Sequence, residues 1–190
     1  MSFQPGKVLH TFTTKSGKTA TLRFPFWEVL PQLLEYINLI SVEDTYVRFS
    51  GEQISLKDEA EYLASIFVAM ELKQRVYVYC FIDEKLAGAC EVSQIPDLRA
   101  RGRHVARLGI TVAKDWRGDG IGYQLAKIAI ETATQELSGL KMVVLECFAS
   151  NTAAINLYQK LGFIEKGRLP GYLKYRGEYV DEVQMVRTLD

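Results

Sequence analysis

Long apolar runs are missing from this 190-residue chain. No stretch approaches the ~18 apolar residues that a membrane-spanning helix needs, and the opening Met1-Ser2-Phe3-Gln4-Pro5-Gly6 has no apolar signal core. The expectation is therefore a cytoplasmic protein without a membrane partner. A charge of one sign is missing too, because 23 Lys and Arg balance 23 Asp and Glu. That balance argues against a general nucleic-acid binder. Cysteine is scarce: Cys80, Cys90 and Cys147 form an odd set without Cys-x-x-Cys spacing, each inside an apolar run. They read as small buried thiols rather than disulfides or zinc ligands. With only His10 and His104 besides, a metal site has little to draw on and none is predicted.

What is present fits one compact domain over residues 1–190, since 48% of the residues are hydrophobic. Leu9 to Thr13 and Thr19 to Phe24 flank a turn at Ser16-Gly17 and predict a hairpin. Gly17-Lys18-Thr19 is not a P-loop, because that motif needs glycine where Phe12 stands. Val29, Leu30, Leu33, Leu34 and Ile37 follow helical spacing and predict a helix from about Trp27 to Ile40. Ser41 to Gln53, with Glu43, Asp44, Tyr46 and Arg48, is polar and irregular. Ser55 and Asp58 resemble a capping box opening a second helix that runs to about Leu72. Arg75 to Ile82 and Leu86 to Val92 form a second hairpin around Asp83-Glu84-Lys85. Gln94 to Arg103, holding Pro96, Arg99, Arg101 and Arg103, is a basic loop that could meet a phosphate or an acidic partner, with a solvated charged loop the preferred reading.

His104 to Val112 is the next strand. A helix with Ile121, Leu125, Ile128 and Thr132 on one face follows and ends near Ser138-Gly139. Lys141 to Phe148 is almost entirely apolar, as suits a strand buried on both faces. Ser150 or Asn151 can cap a short helix whose stop is Gly162, with Phe163 the apolar partner of a Schellman ending. Two strands close the chain, Phe163 to Gly167 and about Tyr179 to Arg187. Between them, Arg168 to Gly177 reads as a loop. The strand–helix–strand unit implies a parallel pair made by a right-handed crossover. The predicted fold is mixed α/β, a twisted mixed sheet of about six to seven strands with helices on both faces.

Arg117-Gly118-Asp119-Gly120-Ile121-Gly122 lies between a strand and a helix. Alternate glycines leave N–H groups uncovered at a helix mouth, where the dipole favours an anion such as a diphosphate. A dinucleotide fingerprint would need glycine at Tyr123 or Leu125, so it fails. Reading Arg117-Gly118-Asp119 as an adhesion tripeptide would need an exposed extracellular loop, for which no other feature argues.

The glycine segment fits the Arg/Gln-x-x-Gly-x-Gly/Ala pattern of the pyrophosphate loop in GNAT N-acetyltransferases. Asn151-Thr152-Ala153-Ala154-Ile155-Asn156-Leu157-Tyr158-Gln159-Lys160-Leu161-Gly162-Phe163 is similar to the same family's Asn-x-x-Ala-x-x-Leu-Tyr-x-x-x-Gly-Phe signature. Spacing and preceding strands match as well, over about Arg107 to Arg187. The resemblance implies acetyl-CoA as cosubstrate, held in a core of about residues 104–165 where two parallel strands splay apart. Backbone groups of Ile110, Thr111 and Val112 would pair with its pantetheine arm. The N–H groups of Gly118, Asp119, Gly120, Ile121, Gly122 and Tyr123, aided by Arg117, would hold the diphosphate. Asn151 and Asn156 would also meet the cofactor. Tyr158 matches the family's general acid, protonating the departing thiolate, and Val112 N–H would serve the oxyanion.

The acceptor is then a primary amine, attacking directly in a ternary complex after losing a proton. Glu146 is the candidate base, at the position matching the ribosomal-protein N-terminal branch, with an ion pair to Arg107 as the competing structural role. Arg107 to Val112 holds no acid, unlike the histone-acetylating branch. The acceptor site is expected among the first helices, the Ser41 to Gln53 segment and the Arg168 to Gly177 loop. Glu43, Asp44, Tyr172 and Tyr175 there are either cation receivers or ordinary surface. The closing segment from Gly177 resembles members that acetylate small amines or amino acids, whereas Glu146 with Tyr158 resembles the protein N-terminal branch. A small amine or amino acid therefore leads and a peptide α-amine follows, with an acyl-CoA-binding regulatory module as the non-enzyme alternative. A homodimer through the final strands fits the sequence.

Overall fold

The computed structural model describes residues 3–43, 45–47 and 49–189. Asp44 and Arg48, named above, lie outside the described residues.

Among the described residues eight strands join one sheet, in the order β1-β2-β3-β4-β5-β6-β8-β7, against an expectation of six to seven. The first hairpin is β1 (Val8–Thr13) and β2 (Thr19–Arg23). After a short 3-10 turn at Trp27–Val29, Pro31 opens α1 (Leu30–Val42) near its N-terminus, where a missing N–H costs nothing. Helix α2 (Leu56–Glu71) begins with the predicted box: Ser55 Oγ accepts from Asp58 N at 3.2 Å and donates to the Asp58 carboxylate at 2.7 Å. The second hairpin is β3 (Arg75–Ile82) with β4 (Lys85–Gln94). The basic segment after it forms a 3-10 turn over Pro96–Gly102.

Strand β5 (Val105–Val112) leads through the glycine loop into α3 (Ile121–Glu136), and β6 (Met142–Phe148) returns beside it. Helix α4 (Thr152–Lys160) ends as predicted. Gly162 takes φ +85°, its N–H bonds to Gln159 O, and Phe163 N–H bonds back to Tyr158 O, both at 3.0 Å. The final strands are longer than expected, β7 (Ile164–Tyr175) and β8 (Glu178–Thr188). The predicted Arg168–Gly177 loop is therefore a correction. Pro170-Gly171 makes an irregularity in the β7–β8 register, with Gly171 at φ +62°, rather than ending the strand. Only Arg176 and Gly177 turn the chain.

Helices α1 and α2 cover one sheet face and α3 the other. Core side chains fill both layers, among them Tyr79, Phe24, Leu63, Ile66, Leu125 and Ile130. Cys80, Cys90 and Cys147 are free and buried, as the sequence predicted. No helix among the described residues is long and apolar enough to cross a membrane.

Candidate active site

Among the described residues the sheet is antiparallel except between β5 and β6. That one parallel pairing covers only Val105–Arg107 against Met142–Val144. Beyond it, β5 stays with β4 as far as Val112, and β6 stays with β8 as far as Phe148. The two strands thus separate, leaving facing edges with unpaired backbone groups. Ala113 N–H bonds to Ala87 O at 2.9 Å, which makes Val112 and Gly88 a non-hydrogen-bonded pair. By strict alternation along the ladder, the N–H and C=O groups of Val112 and Ile110 point away from β4, into the gap, whereas Leu108 still faces the paired part of β6. Those of Thr111 point to β4, so Thr111 offers the gap no backbone group. Its side chain instead accepts a hydrogen bond from Tyr36 Oη at 2.8 Å.

The gap widens into a cavity of about 1030 Å³ that runs from the glycine loop to the start of α4. Every residue predicted to touch the cosubstrate or carry the chemistry lines it except Ile121, whereas the acceptor candidates Glu43, Tyr172 and Tyr175 do not. Ile121 is 1% exposed and anchors the first turn of α3 in the core, so only its backbone remains for a ligand. Gly118 and Gly120 adopt φ +79° and +89°, a region glycine enters without the Cβ penalty, and Gly120 is the N-cap of α3. Gly122 has a packing reason. A Cβ there would sit 3.3 Å from Leu157 Cδ2 and 3.9 Å from Ile110 Cδ1, so glycine lets α3, α4 and β5 approach closely.

The loop is braced from far outside the two motif blocks, by the β1–β2 turn. Asp119 accepts from Ser16 N at 2.7 Å and from Ser16 Oγ at 2.6 Å, which lowers its pKa. Lys15 Nζ donates to Gly118 O at 3.2 Å and lines the cavity, adding a cation beside the loop N–H groups. Arg117 is committed inward: its Nε donates to Val112 O at 2.8 Å, and its guanidinium pairs with Glu43. Glu43, a candidate cation receiver, is thus neutralised by Arg117. The basic turn at Pro96–Gly102 lies at the opposite end of β5, about 25 Å of strand away from the glycine loop.

Tyr158 stands at the far wall on α4, 7% exposed, its ring edge-on to Phe163 at 6.0 Å. Burial drives its pKa well above the ordinary phenol value, with smaller contributions from Cys147 and Cys90. The hydroxyl therefore keeps its proton at neutral pH. Asn151 lines the cavity, but its Oδ1 is the N-cap of α4, accepting from Ala154 N at 3.1 Å. Asn156 lines it from the exposed face of the same helix.

Glu146 reaches the cavity from β6, and its Oε2 lies 3.1 Å from Arg107 Nε. The ion pair weighed against its role as a base is therefore formed in this structure. Glu182 on β8, 6% exposed, also lines the cavity. Tyr175 meets Tyr46 and Phe148 in an aromatic cluster, with centroids 4.9 and 5.7 Å away, and the other two rings line the cavity. Tyr172 is 64% exposed and does not line it. Asp44 lies outside the described residues.

Comparison with known proteins gives these features a context. The model of the Acetyltransferase (GNAT) family matches residues 38–163. Over 90 residues the chain is 36% identical to the L-amino acid N-acetyltransferase AaaT of Escherichia coli, covering 47% of this chain and 55% of that protein. Over 151 residues it is 31% identical to an N-alpha-acetyltransferase of Sulfurisphaera tokodaii, covering 80% of this chain and 84% of that one. The chain thus spans little more than half of the first relative and most of the second. Among solved structures, a phosphinothricin acetyltransferase from Sinorhizobium meliloti in complex with AcCoA superposes with a TM-score of 0.78. It is 20% identical, covering 90% of this chain and 88% of the other.

Proposed function

The chain belongs to the GNAT acetyltransferase family, and from that premise we propose that it moves the acetyl group of acetyl-CoA onto a primary amine by direct attack in a ternary complex. The observation that carries this reading is the separation of β5 from β6 into a cavity with the glycine loop at one end and Tyr158 at the other. A long, narrow cosubstrate with a diphosphate fits those residues. N–H groups at the mouth of α3 and the Lys15 ammonium favour the diphosphate. The N–H and C=O of Ile110 and the N–H of Val112 offer strand-like pairing to an extended amide-bearing arm, while Val112 C=O is taken by Arg117.

Acetyl-CoA supplies the activated acyl group. The protein's residues supply position and protons. Val112 N–H, aimed into the gap, is placed for the developing oxyanion, a donor worth ~3 kcal/mol. Tyr158 holds a proton that its burial keeps in place, ready for the leaving sulfur. Glu146 takes the proton of the amine through water once its contact with Arg107 relaxes or is shared. An alkylamine with a pKa near 10 is almost fully protonated at pH 7, so the attack needs such an acceptor.

The acceptor reading that leads is a small amine or an amino acid, supported by likeness to AaaT. The second, a protein or peptide α-amine, draws on likeness to the archaeal N-alpha-acetyltransferase over most of its length. The test is thiol release from acetyl-CoA against a panel of amino acids, diamines and short peptides. Turnover with at least one amine is expected. Slow hydrolysis that no amine accelerates would defeat the enzyme reading and favour a binding module.

A further inference from the structure

A second cavity, of about 450 Å³, lies on the sheet face covered by α1 and α2. It shares Gly109, Ile110 and Thr111 with the first, so the two chambers have β5 as a common wall. Its polar lining has one sign. The carboxylates of Asp58, Glu59 and Glu91 face it together with the rings of Tyr36, Tyr62 and Tyr77, and no Lys, Arg or His is among the described lining residues. Two of the acids have partners: Asp58 is held by Ser55, and Glu91 lies 3.5 Å from Arg75. Glu59 does not. It is 4% exposed, and among the described residues no hydrogen bond or ion pair reaches its carboxyl. An isolated buried carboxylate is costly, and a cation is the group that relieves the cost.

Gly109 keeps the wall between the chambers low. It pairs with Glu91 across the β4–β5 ladder, and a Cβ on it would come within 3.5 Å of Glu91 Oε1. We infer that this cavity receives the distal ammonium of a diamine acceptor, held between Glu59 and Glu91 with the faces of Tyr62 and Tyr77 beside it, while the other amine reacts at the β5–β6 gap. Aromatic faces and carboxylates both attract ammonium, and desolvation strengthens each. A free amino acid has no such complement there, since its carboxylate would meet three acids. The inference rests on the acetyl-transfer reading and narrows it to one substrate class.

The groups around Glu59 also set a pH signature. Asp58 and Tyr62 flank it on α2, with Tyr36 on α1, Tyr77, Tyr79 and Arg75 on β3, and Glu91 on β4. Burial raises the tyrosines, with Tyr77 and Tyr79 well above their ordinary value, so none of the three shifted on β3 and α2 ionises near neutrality. Glu59 itself is raised to about 7. An empty site is therefore partly protonated at pH 6 and ionised at pH 8, whereas 1,4-diaminobutane stays a dication across that range.

The experiment titrates the protein with 1,4-diaminobutane and with 1-aminobutane by calorimetry without acetyl-CoA, at pH 6 and 8, and then compares kcat/KM for both. The diamine is expected to bind about tenfold tighter at pH 8 and to lose several-fold at pH 6. The diamine's advantage in kcat/KM should lie in KM, and Glu59→Gln should cut the diamine-to-monoamine ratio about tenfold. Glu59→Asp should restore part of it. Equal affinity and equal kcat/KM for the two amines in the wild-type protein would overturn the inference, whatever the variants do. Turnover of 1-aminobutane without any diamine preference defeats only this inference. Absence of acetyl-CoA binding and of turnover with every amine defeats the acetyl-transfer reading instead.

Discussion

Replacing Glu59 by glutamine keeps the shape of the side chain and removes a carboxyl that folding pushes from 4.5 to about 7 by burial. The sign of the effect follows from proton binding. Between those two values the folded protein holds a proton at Glu59 that the unfolded chain has already released. Stability therefore falls as pH rises through that window, and the full cost applies above about pH 7. At about 1.4 kcal/mol per pH unit the unscreened cost would be about 3 kcal/mol, and water reaching the carboxyl through the cavity cuts it to roughly 1–2 kcal/mol. Glutamine carries no such cost at any pH. Glu59→Gln should thus match the wild type near pH 4 and exceed it by ~1–2 kcal/mol at pH 8, or ~3–6 °C in Tm for a chain of this size. Urea unfolding of both proteins at a series of pH values reads the difference, and subtraction removes the other carboxylates. A gap that stays flat from pH 4 to 8 would refute the reasoning, because a desolvated, unpartnered acid must show it. The same residue would then be costly to the fold and useful to a cationic ligand, a trade-off expected where function sets the residue.

Tyr158→Phe should leave acetyl-CoA affinity nearly intact and lower kcat about a hundredfold at pH 7; an unchanged kcat would remove Tyr158 from the chemistry. Glu146→Gln should flatten the rise of kcat/KM with pH, and a retained slope would place the base elsewhere, with Glu182 the next carboxylate to test. Gly122→Val drives a branched side chain against Leu157, Ile110 and Val112 and should destabilise the protein by ~1–3 kcal/mol, read by denaturant midpoint. Asp119→Ala severs both bonds to Ser16 and should weaken acetyl-CoA binding several-fold by calorimetry while leaving the Tm within a degree or two, since the contact is exposed.

The parts of this protein that local chemistry dictates were legible in its sequence. The Ser55–Asp58 box, the Gly162–Phe163 Schellman ending and the alternating glycines before α3 each need particular residues within a few positions. The β5–α3–β6 crossover follows from chirality. What distance in sequence brings together was not legible. The contact of Ser16 with Asp119 joins residues 103 apart, and the chamber around Glu59 and Glu91 needs helices and strands from separate stretches. Glu59 looks in sequence like any acid in the first turn of a helix, where the dipole welcomes it. Only the packing of α2 on β3 turns it inward. Pro170-Gly171 misled for the opposite reason, because β7 is an edge strand and an edge tolerates a proline and a bulge.

The central claim is that the cavity between β5 and β6 holds acetyl-CoA by its diphosphate and pantetheine arm. Calorimetric titration of the wild-type protein with acetyl-CoA and with S-acetylpantetheine, which lacks the diphosphate and nucleotide, is the sharpest test. One site per chain is expected for acetyl-CoA, with binding at least a hundredfold weaker once the diphosphate and nucleotide are gone. No acetyl-CoA binding, or equal binding of the two ligands, would contradict it.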